Sequence, residues 1–270
     1  MQTKTLISLL FLFALSWAQK NTLHFGVLFQ PQTHWLLNSM DSDAGPILDY
    51  QSTWGYAGGL RLAYRFSDYV GVGIDAIYSS EGQKYKGKDE ALGVVWNSRT
   101  RLTYLKLPLL LHFGSDPESP VQFSFFFGPQ LGLLMGYKDQ FESTITRTNF
   151  TTKVEASGKE GIMFDNPALP RKKTLNTEPY QKQTYAGVVG LGVAFRLTEG
   201  VLLSVHFRGD YTFNDVENKE ASYQDAPNVN HEFWHQNPRY RHYHGNEERP
   251  ATAALTGGVL VGLTYYVPLK

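Results

Sequence analysis

The sequence predicts an all-β fold: an eight-stranded antiparallel transmembrane β-barrel with short periplasmic turns and long extracellular loops. Three observations carry that expectation. Thr103, Leu105, Leu107, Leu109, Leu111 and Phe113 set a nearly unbroken apolar row at every second position, and Val121, Phe123, Phe125 and Phe127 repeat it beyond a Pro/Ser/Asp turn. A period of two belongs to a strand, whose successive side chains point to opposite faces. Arms of this length exceed the roughly five or six residues usual in soluble sheets and suit the about 9–11 that a tilted strand needs to cross a bilayer. Short and long connections also alternate along the chain, as in outer-membrane barrels with tight periplasmic turns and extended outer loops.

The elements follow in order. Residues 22–30 form a first strand, and a polar segment follows to residue 53. In the second strand, 56–66, Tyr56, Gly58, Leu60, Leu62, Tyr64 and Phe66 alternate with Ala57, Gly59, Arg61, Ala63 and Arg65. The third, 70–78, sets Val70, Val72, Ile74, Ala76 and Tyr78 against Gly71, Gly73 and Asp75. A loop over 79–98 then leads into the hairpin of residues 101–137, strands four and five, whose mixed face carries Tyr104, Lys106, Gln122 and Gln130. Residues 138–183 are polar, contain Pro167, Pro170 and Pro179 and show no period, so they are expected to be loop. Strands six (184–197) and seven (201–213) place Arg196, Ser204, His206, Arg208 and Asp210 opposite rows that include Val193, Phe195, Val205 and Phe207. A second long loop, 214–252, precedes strand eight at 253–267.

Composition agrees. The 25 basic and 25 acidic side chains cancel, so no large positive field argues for nucleic acid. Aromatics at 14% and 25 glycines suit a barrel with interfacial aromatic girdles and a tight interior. Lys4, the apolar run 5–15 and the small-x-small triplet Ser16-Trp17-Ala18 read as a secretory signal cleaved after Ala18, leaving 19–270 as one barrel domain. That run is too short for a membrane helix, and no later segment holds eighteen consecutive apolar residues, so membrane residence must come through strands. The competing soluble fold, a secreted sandwich or lipocalin-like binding protein, would need a second sheet to cover the apolar rows.

Parity sets an expected register, because paired residues point the same way. A Ser67-Asp68-Tyr69 turn pairs Arg61 with Asp75 and Arg65 with Gly71. A turn at Thr198-Glu199-Gly200 pairs Leu197 with Val201 and Arg208 with Gly190. Pairing Phe113 with Val121 sets Lys106 opposite Gly128. Long cations facing glycines would let a narrow lumen, just filled by its own side chains, accept them without an open channel. The expected lumen network is Arg61, Arg65, Asp75, Tyr104, Lys106, Gln122, Gln130, Arg196, His206, Arg208 and Asp210. Cations outnumber acids in that set, so carbonyls, Tyr104, Gln122, Gln130 and water are expected to satisfy the excess.

The closing segment LVGLTYYVPLK, with Leu260, Gly262, Tyr265 and Val267, resembles the C-terminal assembly signal of outer-membrane barrels, although it runs on past the aromatic. Together with YLKLPLLL at 104–111, FFFGPQLGLLMGY at 125–137 and GVVGLGVAFRLTEG at 187–200, it gives the chain a resemblance to the PorT-like outer membrane β-barrel domain family. The resemblance implies an eight-stranded barrel in the outer membrane of a Gram-negative bacterium. Some relatives are linked to protein secretion or surface-associated machinery, and the resemblance transfers no catalytic residue.

Two patterns invite a chemical role. His231-Glu232-Phe233-Trp234-His235 matches the HExxH zinc-protease spacing, in which two imidazoles on one helical face bind metal and the glutamate activates water. It lies between Pro227 and Pro238, with room for little more than two helical turns. A solvated His-rich outer loop is therefore expected and no metal or other cofactor, with His231 and His235 the residues that would carry one. Ser204, His206 and Asp210 share a face, but two- and four-residue spacings along one strand put Ser204 about 20 Å from Asp210, too far for one relay. Arg171-Lys172-Lys173 is expected to be a solvated loop edge, with phosphate contact to lipopolysaccharide as the other option. The expected function is thus a non-enzymatic outer-membrane scaffold or accessory subunit, in contact with outer-membrane lipid and with envelope or secretion-complex proteins. A lipid-modifying enzyme of the same membrane is the alternative.

Overall fold

The computed structural model describes residues 21–39, 48–89, 93–116, 118–163, 170–221 and 250–269. Its strands are β1 (Thr22–Leu37), β2 (Leu48–Gln51), β3 (Thr53–Arg65), β4 (Val70–Asp89), β5 (Val94–Gly114), β6 (Val121–Ile145), β7 (Phe150–Ala156), β8 (Glu160–Met163), β9 (Arg171–Thr174), β10 (Gln183–Thr198), β11 (Val201–Thr212) and β12 (Ala253–Pro268). Eight of these pair antiparallel in the ring β1-β3-β4-β5-β6-β10-β11-β12, which closes where β12 returns to β1. Closure removes the edges that a membrane cannot tolerate, since each ladder N–H and C=O finds a partner within the ring.

Alternation sorts the side chains into two environments. Phe25, Val27 and Phe29 on β1, Leu60 and Leu62 on β3, Val189 and Leu191 on β10 and Phe207 on β11 all point outward and are exposed. Among the described residues no second sheet or helix covers these rows, so the soluble sandwich is overturned. Leu191, halfway along β10, lies in one register row with Phe125 of β6 and Phe207 of β11. Arginine on the lipid face at the bilayer midplane costs about 2–4 kcal/mol. Leu191→Arg is accordingly expected to lower the unfolding free energy in lipid vesicles by about that amount, whereas an exposed site on a water-soluble sheet would change by less than about 0.5 kcal/mol. Urea titration in vesicles distinguishes the two.

The connections at one end are tight: residues 66–69, 115–120 and 199–200. At the other end the expected loop over 79–98 is instead the upper half of a long hairpin, with β4 and β5 joined only by residues 90–93. The expected loop at 138–183 likewise holds the end of β6, all of β7 and the small β8-β9 sheet. The strands β4, β5, β6 and β7 thus rise beyond the ring as a tall wall on the loop side. Their periodicity was hidden because the inward face mixes polar and apolar side chains there, Ser79, Glu81 and Gln83 turning inward with Tyr85, Trp96 and Phe141, while Lys84 and Lys86 turn outward.

Register follows the expected parity with two corrections. Arg61 faces Asp75, Arg65 faces Gly71 and Arg208 faces Gly190. Leu197, however, is bulged out and Thr198 takes Val201. Phe113 pairs with Phe125, not Val121, so Lys106 faces Gly132 rather than Gly128. The cause is the turn: Ser115 N–H donates to the Phe123 carbonyl at 2.8 Å and Asp116 caps the N–H of Glu118 at 2.8 Å, which extends pairing past Phe113. An even shift preserves the faces, and Lys106 still lies against a glycine. A bulge opposite Thr103 and Tyr104 inserts Met135 into β6 and reverses its parity, so Tyr137, Asp139, Phe141 and Ser143 point inward above it.

Candidate functional site: a charged, layered lumen

Inward side chains fill the ring in layers. Nearest the tight turns, a cavity of about 90 Å³ is lined by His24, Arg65, His112, Ser124, Ser204 and His206, among others. It opens toward a wider mouth of about 350 Å³ where Arg65 and Arg196 stand with Asp68 and Glu118. Above the cavity, the fully buried ring of Phe126 meets His112 at 5.4 Å and His206 at 5.3 Å between centroids. The Arg61 guanidinium lies 5.5 Å from the same ring, a cation–π distance. Arg61 also makes a two-pronged pair with Asp75, Nε and Nη2 each 2.8 Å from a carboxylate oxygen. Leu28, Ala57, Ile77, Leu110, Val188 and Leu260 complete an apolar layer around Phe126.

A network of charges crosses the lumen. Lys106 Nζ contacts Glu81 Oε1 and lies 2.8 Å from Asp210 Oδ1. Glu81 also accepts from Ser79 Oγ at 2.6 Å and lies 3.1 Å from His34 Nε2. On the other side, Arg208 donates to Gln30 at 3.2 Å and Gln130 at 2.7 Å, with Asp210 at 3.7 Å. Strands β1, β4, β5, β6 and β11 are tied together across the barrel by side chains that are all nearly or wholly buried. Desolvating the four charges of Glu81, Lys106, Arg208 and Asp210 is tolerable only because each faces an opposite charge or an amide.

The loop end is covered by a second apolar cluster. Leu36, Leu102, Tyr104, Tyr137 and Ala254 from the barrel pack against Leu175, Tyr180, Val216 and Ala221 from the connecting segments. Tyr180 Oη donates to Asp139 of β6 at 3.1 Å, which fastens its segment to the wall, and Thr252 Oγ1 donates to Glu217 at 2.9 Å, which joins the connecting segments to each other. Beside them Asp215 is part-buried, and that burial lifts its carboxyl above the ordinary aspartate range.

The residues singled out from sequence therefore divide. Arg61, Asp75, Lys106, Gln130, Arg208 and Asp210 meet as described. Arg65, which donates to the Asp68 carbonyl at 3.1 Å, and Arg196 stand apart at the tight-turn mouth. Gln122 reaches the Ser119 carbonyl at 3.5 Å. Tyr104, expected to satisfy a cation, instead joins the apolar cover, and its hydroxyl has no hydrogen-bond partner among the described residues. Ser204, His206 and Asp210 do not converge: Ser204 donates to the Gly262 carbonyl at 3.3 Å while Asp210 serves Lys106. His206 meets Ser124 of β6 at 2.6 Å, but its Nδ1 has no partner to orient the ring.

Glu81 and His34 were missed, since the first lay in an expected loop and the second beyond the expected end of strand one. With Glu81 included, three buried acids (Asp75, Glu81, Asp210) answer three buried cations (Arg61, Lys106, Arg208), so the expected cationic excess is absent from this core. Lys172 of the basic run lies in β9 and pairs with Glu160 at 3.1 Å. The signal-like residues 1–18 and the His231–His235 pattern lie outside the described residues.

The profile of the family described as outer membrane protein beta-barrel domain matches residues 8–218. No curated protein matches the chain in sequence. Solved structures similar to it include Neisserial surface protein A, at 12% identity over 90% of this chain and 96% of that one, TM-score 0.38. OprG of Pseudomonas aeruginosa is 11% identical over 92% and 96%, TM-score 0.41. The outer membrane protease OmpT of Escherichia coli is 8% identical over 93% and 97%, TM-score 0.40. With a closed ring of eight strands, an outward apolar surface, an inward charged core and a family profile spanning most of its length, the chain belongs to the outer membrane protein beta-barrel domain family.

Proposed function

We propose that this protein is a non-enzymatic scaffold or accessory subunit of the Gram-negative cell envelope, of the PorT-like kind, presenting its loop-side wall to a secretion or surface-associated complex. The observation that carries this reading is the cross-lumen network from His34 through Glu81, Lys106 and Asp210 to Arg208, closed over by the apolar cluster around Tyr137 and Tyr180. A lumen filled in this way leaves transport little to use, while the wall of β4 to β7 offers a rigid platform outside the bilayer. The enzyme alternative has one feature in its favour, the Ser124–His206 contact. That pair faces the lumen and not the lipid, so an acyl chain in the membrane has no approach to it.

In a planar bilayer the purified full-length protein is expected to show no stable large conductance at moderate voltage. Steady openings of porin size would overturn the filled-lumen reading. Affinity isolation from detergent-solubilised outer membranes then tests the scaffold role: stoichiometric envelope proteins support it, and recovery of the barrel alone counts against it. An altered lipid profile on deletion of the protein would favour the enzyme.

A further inference from the structure

The outward face of the tall wall changes character in register. Tyr78, Leu105 and Leu133 form one apolar row across β4, β5 and β6. Ser80, Thr103 and Gly136 form the next, then Gly82, Arg101 and Lys138, then Lys84, Arg99 and Gln140, with Lys86 one row higher. From Leu105 to Arg101 is four residues, roughly 13 Å along the strand and about 10 Å along the membrane normal at a usual tilt. The polar headgroup layer adds about 5–8 Å to each side of the hydrocarbon. Long side chains in these rows therefore reach the level of lipid headgroups on the outer side.

We propose that Lys84, Lys86, Arg99 and Arg101 form a subsite for the phosphate groups of a phosphorylated glycolipid in the outer leaflet. Three features carry it. Lys84 stands directly opposite Arg99, and Arg101 directly opposite Lys138, although like charges in facing positions destabilise a sheet. Neighbouring carboxylates leave the four themselves unpaired: Glu155 goes to Lys138 at 2.7 Å, which eases the Arg101–Lys138 contact without pairing Arg101, Glu142 goes to Lys153 at 2.9 Å, and Asp49, opposite Lys86, accepts from the Gln51 amide at 3.4 Å. None of the four cations has an ion-pair partner among the described residues, and Arg99 Nε is buried with no hydrogen-bond partner. Finally, Gly136 leaves open space beside Thr103, a notch between the apolar row and the cations where a sugar can sit against the backbone. Guanidinium groups bind phosphate through paired N–H donors, which suits two arginines on one strand. The inference goes beyond the scaffold role and does not depend on it.

The test uses the full-length barrel purified in detergent and refolded without lipid, titrated with bis-phosphorylated lipid A, with the same lipid lacking phosphates, and with inorganic phosphate. Lipid A is expected to raise the temperature at which the barrel loses its folded gel migration, and to bind at least tenfold more tightly than the dephosphorylated lipid. Arg99→Gln with Arg101→Gln is expected to weaken lipid A binding at least tenfold. Without lipid that variant is expected to melt at or above the wild-type temperature, because facing cations have been removed. Equal binding of both lipids, or unchanged affinity in the variant, overturns the proposal. Full stabilisation by inorganic phosphate alone overturns the lipid as the source of the anion. A variant that melts lower without lipid shows these arginines to be structural and also overturns it.

Discussion

Replacing Lys106 by alanine is expected to destabilise the folded barrel by about 3–5 kcal/mol, the range for removing one partner of a buried ion pair. Lys106 stands between Glu81 and Asp210, so its loss leaves two buried carboxylates facing each other across the lumen. Ser79 and His34 still touch Glu81, and Arg208 lies 3.7 Å from Asp210, but none of them sits between the two acids. Lys106→Met keeps the length of the side chain and should cost nearly as much, since packing is not what is lost. The triple change Glu81→Gln, Lys106→Met, Asp210→Asn should recover most of the deficit, because residues of one network are strongly non-additive. Equilibrium urea unfolding in detergent micelles reads all three variants. A loss below about 1 kcal/mol for Lys106→Ala would mean that water reaches the lumen and screens the carboxylates, as at an exposed pair.

That network shows what a sequence reveals and what it hides. Within the bilayer, outward residues must be apolar and inward ones need not be, so Leu105, Leu107 and Leu109 alternate visibly with Tyr104, Lys106 and Pro108. Above the bilayer the constraint disappears. Glu81 faces in and Lys84 faces out on a strand wet on its outer side, and no hydrophobic period marks either. The acid that neutralises Lys106 therefore reads as loop from the sequence, and the expected lumen is short of negative charge. Bulges are hidden for a related reason. Met135 adds one residue to β6 and exchanges its faces, yet a single insertion between Leu134 and Gly136 leaves no periodic trace. Registers came through where the turn was as short as its residues suggested, at Ser67 to Tyr69. They failed where Asp116 and Ser115 made local hydrogen bonds that length alone did not announce.

Phe126→Ala is expected to cost about 3–5 kcal/mol, the usual loss for emptying a buried aromatic site. The ring is fully buried and touches His112, His206 and Arg61 at once, so the surrounding atoms come from three different strands and cannot easily collapse into the space. Gly190 explains why the ring fits. A β-carbon there would land on the edge of Phe126, so the bare backbone of β10 is the floor on which the ring lies. If that account is right, Gly190→Val is destabilising in the wild-type barrel, by about 1–3 kcal/mol as for other overpacked cores, but stabilising in the Phe126→Ala background where it refills part of the cavity. The change of sign is the informative result, because a general weakening of the sheet by valine, or a general tolerance of it, would act the same way in both backgrounds. Urea midpoints for the four proteins of this cycle give the coupling directly. A coupling near zero would mean that ring and glycine are neighbours in register without being packed, and the apolar layer beneath the charge network would lose its place in holding the lumen shut.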